Sequence, residues 1–450
     1  MHTDAKRKWL LSCLRAQTDE AGAIQTEQLS DPDWGEIIQL AARHGVTPLL
    51  YLNLKAAAPT PYVPVAVMHQ LREAYLGNAV RNTRLYYQLA RLLTALQKDN
   101  IAVIVLKGAH LAETVYGNVA LRPMGDLDLM VRKSDLSRTA EKLVGMGYSF
   151  NAPADMKAYC EENHHLPAFL APGGPAVEIH WLIPLVISPS GEELAGLWRG
   201  EWFEAFEQQV NSPSDEELAG VWKRCRWATI AGVETLVLSP EDLLLHLCME
   251  TSHHHSGFVM GLSPFCDISA TIRRYQNEID WKQLQFRAQE WGAGKYVHLT
   301  LWLARDLLEA PVPGDVLEFL KPKDFDARWV AVAKEQVLSG RPMPLESRFI
   351  NGAILLLWSG RSLGDKLSVL LTRLFLPGTP IADKCGVPPH SKRVYLLRVL
   401  RLLRRLPAQA LNAWRFISRG KEASVLLRMH KNRGRLMEWL HRSDSGQPRG

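Results

Sequence analysis

Asp126 and Asp128 stand two apart inside an apolar run at residues 121–131, L-R-P-M-G-D-L-D-L-M-V. Strand side chains alternate faces, so carboxylates two apart share one face. Two carboxylates on one buried face repel, and each is costly to desolvate, unless a cation lies between them. Hard oxygen donors at this spacing suit Mg²⁺, which in turn holds substrate phosphates. The chemistry they suggest is metal-dependent phosphoryl or nucleotidyl transfer.

The neighbours extend that idea. Residues 101–106 (I-A-V-I-V-L) predict a buried strand that ends in Lys107-Gly108, and residues 109–116 predict a short helix. A strand, a Gly turn and a helix start expose backbone N–H groups and the positive end of a dipole, a place for phosphate, with Lys107 as a point charge. Downstream, residues 177–181 (V-E-I-H-W) predict another strand, with Glu178 and His180 on one face. A third carboxylate on a neighbouring strand would complete a site for two Mg²⁺ ions, against the plainer reading of Glu178 in a cross-strand ion pair with Arg122. Arg122 has two readings, phosphate ligand or neutralising partner of the acids. His180 either orients Glu178 or sits satisfied in the core.

Around this core, residues 1–96 predict a helical lead-in, with apolar helical spacing over 49–54, 68–76 and 83–96. Residues 97–185 predict the mixed core: strands 101–106, 126–131, near 147–150 and 176–181, with a helix at 134–146. Residues 186–320 predict a mainly helical domain. Pro240-Glu241-Asp242 opens one of its helices, with acids at the positive dipole end. Residues 321–390 predict a helical, loop-rich region, 391–442 a basic amphipathic helical tail, and 443–450 disorder.

Apolar content of 47% and charge of 22% suit a soluble protein. Six scattered cysteines without a C-x-x-C pair argue against a zinc ribbon or disulfide framework and suit a reducing compartment. No apolar run reaches spanning length, and the N-terminus makes no convincing signal peptide, so the expected location is the cytoplasm. The net charge of +6 is a property of the tail: from Ser391 onward, 15 Lys/Arg face 3 Asp/Glu, leaving the rest of the chain net negative.

Lys107-Gly108, Tyr116, Arg122, the D-L-D at 126–128, Gly147-Tyr148 and E-I-H-W together resemble the uncharacterised nucleotidyltransferase family of the DNA polymerase beta-like superfamily. The segment 238–246, Asp267-Ile268 and Asp280-Trp281 extend the resemblance over roughly residues 30–320. It implies an α/β (α+β) fold: a small mixed-sheet core embedded in mainly helical N- and C-terminal regions. Residue by residue, it puts Gly108 at the phosphate turn, Asp126 and Asp128 at the metal positions, and Glu178 at the third acid. Lys107-Gly108 departs from the superfamily's usual Gly-Ser or Gly-Gly, as is typical of this family. The implied reaction moves a nucleoside monophosphate from an NTP to a hydroxyl acceptor, a small molecule or a protein, and releases pyrophosphate. The implied nucleotide contacts are Lys107, Gly108 and Arg122, with ATP among the candidate donors. Acceptor-side candidates are His165, His180 and Asp267. For Asp267, a helix cap or an ion pair with Arg273 or Arg274 competes. The alternative is a catalytically inactive member of this fold that binds a nucleotide or partner. Its basic tail, with Arg opposite an apolar stripe at 394–406, then meets a membrane surface or a nucleic acid, against the plainer reading of a helix packed on the body.

Overall fold

The computed structural model describes residues 3–15, 29–57, 63–151, 165–171, 174–182, 215–254, 258–340 and 421–441. Four helices lead in: α1 (Thr3–Arg15), α2 (Asp31–Arg43), α3 (Thr47–Ala56) and α4 (Val65–Lys98). The two helical stretches expected at 68–76 and 83–96 are one continuous helix. Gly77 between them has open space around it and is simply tolerated.

The centre is one six-stranded mixed sheet. Its strands are β1 (Val103–Val105), β2 (Asp126–Val131), β3 (Phe169–Leu170), β4 (Ala176–His180), β5 (Arg226–Ile230) and β6 (Val233–Val237). Their order is β3-β4-β2-β1-β6-β5. β2 runs antiparallel to β1 and parallel to β4, and β1 runs parallel to β6. The mixed sheet among helices is the expected fold class.

Two elements differ in detail. The stretch near 147–150 contributes only an isolated bridge from Ser149 to Leu170. Within the stretch expected to be mainly helical, residues 226–237 form a hairpin that joins the sheet. Its turn is Ala231-Gly232, both at positive φ (54° and 74°). Two such residues fit the tight turn whose twist matches paired strands, but Ala-Gly lacks the Asn-Gly or Asp-Gly signature. Glu113 compensates by accepting a hydrogen bond from the Ala231 N–H at 2.9 Å.

The alternation in β2 decides which way the sheet faces. Leu127, Leu129 and Val131 enter one core with Val177 and Ile179 of β4 and with Leu85, Leu89, Leu92 and Leu96 of α4. Each fully buried leucine contributes about 1.5–3 kcal/mol. Met130 and Ile104 enter the other core, built mostly from helices. Asp126, Asp128, Glu178 and His180 therefore share the face that looks toward the helical body.

Beside the sheet, α5 (Lys107–His110) follows β1 and α6 (Leu136–Gly145) follows β2. The helical body includes α7 (Asp215–Arg224), α8 (Pro240–Met249) with a π-helical turn at Glu250–His254, α9 (Ser263–Arg274), α10 (Trp281–Glu290), α11 (Gly294–Leu308), α12 (Gly314–Leu320) and α13 (Ala327–Ser339). Gly261, at φ +78°, lies so close to His44 that an added Cβ would fall 2.8 Å from its Nδ1. His44 is fully buried there, and burial pushes its pKa down to about 4.

Of the expected basic tail, the described part is the helix Lys421–His441. Its Leu436, Trp439 and Leu440 are buried, and Trp439 stacks on Trp329 of α13 at 5.6 Å. The stripe at 394–406 and the stretch 443–450 lie outside the described residues. No helix among the described residues is long and apolar enough to cross a membrane.

Candidate active site

The strand register brings the acids together. β2 and β4 pair in parallel with Asp128 opposite Glu178, Asp126 opposite Ala176, and Met130 opposite His180. Asp128 is buried, Glu178 half-buried, and Asp126 exposed at the strand start. Ligand atoms of Asp128, Glu178 and His180 all lie within 4.8 Å of one another. The Nε2 of His180 is 3.1 Å from Oδ1 of Asp128 and 3.7 Å from Oε2 of Glu178.

Lys107 sits at the β1–α5 junction, where α5 spans Lys107–His110, and its φ is +34°. Positive φ is uncommon for a residue with a side chain, and it costs on the order of 1 kcal/mol or more. The side chain reaches the acids: Nζ is 3.1 Å from Oε2 of Glu250 and 3.6 Å from Oδ1 of Asp128. Its ammonium, expected at the phosphates, thus has carboxylate partners on two elements. Glu250, on the π-helical turn after α8, escaped sequence reading. The only hint was a carboxylate one turn past His246 on an otherwise apolar helix.

The charges split the three acids. Burial opposes ionisation of Asp128, yet Lys107 and His180 hold its pKa well below the usual carboxylate range. Burial and the charge on Asp128 push Asp126 and Glu178 upward. Burial would lower Lys107, but Asp128 and Glu250 outweigh it and hold it above its ordinary value. Burial keeps His180 low despite Asp128, and drives the fully buried His246 to about 3. One ammonium stands among the carboxylates of Asp126, Asp128, Glu178 and Glu250, so acids outnumber it and the local field is negative. Oxygen donors in such a field fit a divalent cation.

A second group flanks the acids. Arg122 donates from Nε to Oδ2 of Asp267 at 3.0 Å, and the Tyr116 hydroxyl donates to Oδ1 of the same carboxylate at 2.9 Å. Asp267 is buried within α9. It therefore pairs with Arg122, whereas Arg273 and Arg274 donate to the carbonyls of Glu309 and Thr114. The loop that carries Arg122 is pinned by two buried asparagines one turn apart on α4. Asn82 donates to the Arg122 carbonyl at 2.8 Å, and Asn78 to the Ala120 carbonyl at 2.7 Å. The Arg122 guanidinium then lies against the Gly108 turn: a Cβ added at Gly108 would meet Nη1 of Arg122 and Sδ of Met124, each at 2.9 Å. A side chain at 108 would have to displace the Arg122 guanidinium or Met124, so glycine lets both lie against the turn. The structure thus groups Gly108 with Arg122 and Lys107 with the acids.

His165 lies beside β4, in an isolated bridge with His180 and with ring centroids 5.2 Å apart. Its neighbour His164 and the residues from 255 to 257 lie outside the described residues.

A comparison with family models matches residues 30–309 to the uncharacterised nucleotidyltransferase family. The chain belongs to that family. Searches of curated proteins and of solved structures find no match. The family's chemistry, nucleotidyl transfer, agrees with the carboxylate and imidazole cluster on β2 and β4.

Proposed function

We propose that this nucleotidyltransferase-family chain moves a nucleoside monophosphate from an NTP to a hydroxyl on a small molecule or protein, releasing pyrophosphate. The observation that carries this reading is the register of β2 and β4, which sets Asp128 opposite Glu178 with Asp126 two residues back. Asp126, Asp128 and Glu178 would hold two divalent ions, with Mg²⁺ suited to the all-oxygen position. When bound, such an ion neutralises phosphate charge and makes a coordinated hydroxyl more acidic.

The chain's own residues have separable tasks. Lys107 and His180 keep Asp128 ionised. Glu178, raised by burial and by Asp128, is the better proton acceptor and takes the proton of the acceptor hydroxyl. Arg122 and the Gly108 backbone bind the phosphates, since a planar guanidinium held at one edge still presents its other N–H groups. Most of the rate comes from positioning and charge neutralisation, which phosphoryl transfer chiefly needs.

Calorimetry of the four NTPs with Mg²⁺, on wild type and on Asp126→Ala/Asp128→Ala, tests the reading. Metal-dependent binding of one NTP that the double variant loses supports it and identifies the donor. A folded wild type that binds no NTP sinks it.

The tether on Arg122 makes a finer prediction. Asp267→Ala removes a charged hydrogen-bond partner and should weaken NTP binding by roughly 10–100-fold. Arg122→Ala should do the same, and the two changes together should cost far less than their sum, because they break one contact. An Asp267→Ala protein with NTP affinity within about twofold of wild type would remove the tether from the mechanism.

A further inference from the structure

The β2–β4 pairing puts a nitrogen donor into a site otherwise made of oxygens. His180 lies one same-face position beyond Glu178 on β4, buried at 1% exposure, and its backbone is fixed by the pairing with Met130. Its Nε2 points at two carboxylates, 3.1 Å from Asp128 Oδ1 and 3.7 Å from Glu178 Oε2. Donors bound to a first-row ion at about 2.0–2.2 Å stand about 3–3.5 Å apart from one another. The His180–Asp128 separation falls within that range, the His180–Glu178 separation lies just above it, and all three donors lie within 4.8 Å of one another, close enough to converge on one ion. The Lys107 ammonium shares Asp128 Oδ1 at 3.6 Å but lies closer to Glu250, at 3.1 Å.

We propose that Asp128, Glu178 and His180 form a divalent-cation site in which the His180 imidazole is itself a ligand, and which selects a first-row transition ion over Mg²⁺. The inference rests on the transferase reading and assigns the second of its two ion positions. Mg²⁺ takes oxygen ligands and dehydrates reluctantly, whereas imidazole nitrogen favours transition ions. Asp126, outside the three-residue cluster, is left to the oxygen-only position. His180 then does more than orient an acid, since it decides which metal the site accepts.

The full-length protein with Mn²⁺ alone, followed by electron spin echo envelope modulation, tests this. The wild type should show modulation from a directly bound ¹⁴N. That signal should change to the ¹⁵N pattern when histidine is ¹⁵N-labelled, a result that requires no variant to fold. Mn²⁺ should bind at least ~10-fold more tightly than Mg²⁺. His180→Gln should lose both the modulation and the preference, and His165→Gln should keep both. Asp128-dependent Mn²⁺ binding without nitrogen modulation overturns the proposal and leaves the transferase reading standing, with His180 only positioning Asp128. A folded wild type that binds neither cation nor any NTP overturns both.

Discussion

Asp128→Asn should lower nucleotidyl transfer by at least ~10³-fold while the protein stays folded. The substitution keeps the shape of the side chain and an oxygen to face His180, but removes the charge. Asp128 is the acid held most firmly ionised, with Lys107 and His180 both directed at it. Without that charge, Lys107 keeps Glu250 at 3.1 Å as a partner, so the fold retains a satisfied ammonium. The loss should therefore appear in pyrophosphate release and metal-dependent NTP binding, with an unchanged circular dichroism spectrum. Transfer within about tenfold of wild type would show that Asp128 does not carry the reaction. Asp128→Ala should match the asparagine variant in activity but be less stable, since it also removes the oxygen that faces His180 at 3.1 Å.

Asp242→Ala should cost roughly 3–5 kcal/mol of stability. Asp242 is completely buried at the start of α8. It accepts from Nε and Nη2 of Arg224 at 2.8 and 3.2 Å and from Nη1 of Arg287 at 3.0 Å. One carboxylate thus joins α7, α8 and α10. The neighbouring Glu241 accepts from the backbone of Asp280 at 2.9 Å and completes the junction. Removing the carboxylate leaves the buried Arg287 with only the longer contact to Glu241, at 3.8 Å, which is why the expected cost exceeds that of a surface ion pair. Urea unfolding followed by tryptophan fluorescence measures it, and a change below about 1 kcal/mol would show that the two arginines find other partners. The effect should reach the site as well, because α8 leads directly into the turn that presents Glu250 to Lys107.

Asp128 is buried beside an imidazole and a lysine that it shares with Glu250, the arrangement on which the proposed cation site draws. Asp242 is buried with its charge compensated twice over, and that balance is useful to the fold. Sequence reading placed Asp242 correctly at a helix start, where the dipole favours an acid, but the dipole is a small effect beside two guanidinium groups.

What the sequence determined by itself is local and periodic. The period of two in D-L-D-L-M-V set both aspartates on one face of β2, and the same period in V-E-I-H set Glu178 beside His180 on β4. The strand boundaries at 126–131 and the helix start at Pro240 followed from neighbours within a few residues. The hairpin at 226–237 did not, because Ala231-Gly232 carries a weak turn signal and its support comes from Glu113, far back in the chain.

The tertiary structure alone decided which face of the sheet meets which helices, and so which charges meet. Arg122 and Asp267 lie 145 residues apart, and no spacing rule links an arginine in a loop to an acid inside a distant helix. Lys107 and Glu250 are equally remote, and Asn78 and Asn82 read as polar interruptions of a helix until the loop they hold is seen. Periodicity reports which way a side chain points from its own element. The partner at the other end of that direction is fixed only when burial packs two elements together, and a buried charge must then be answered by whatever the packing brings within reach.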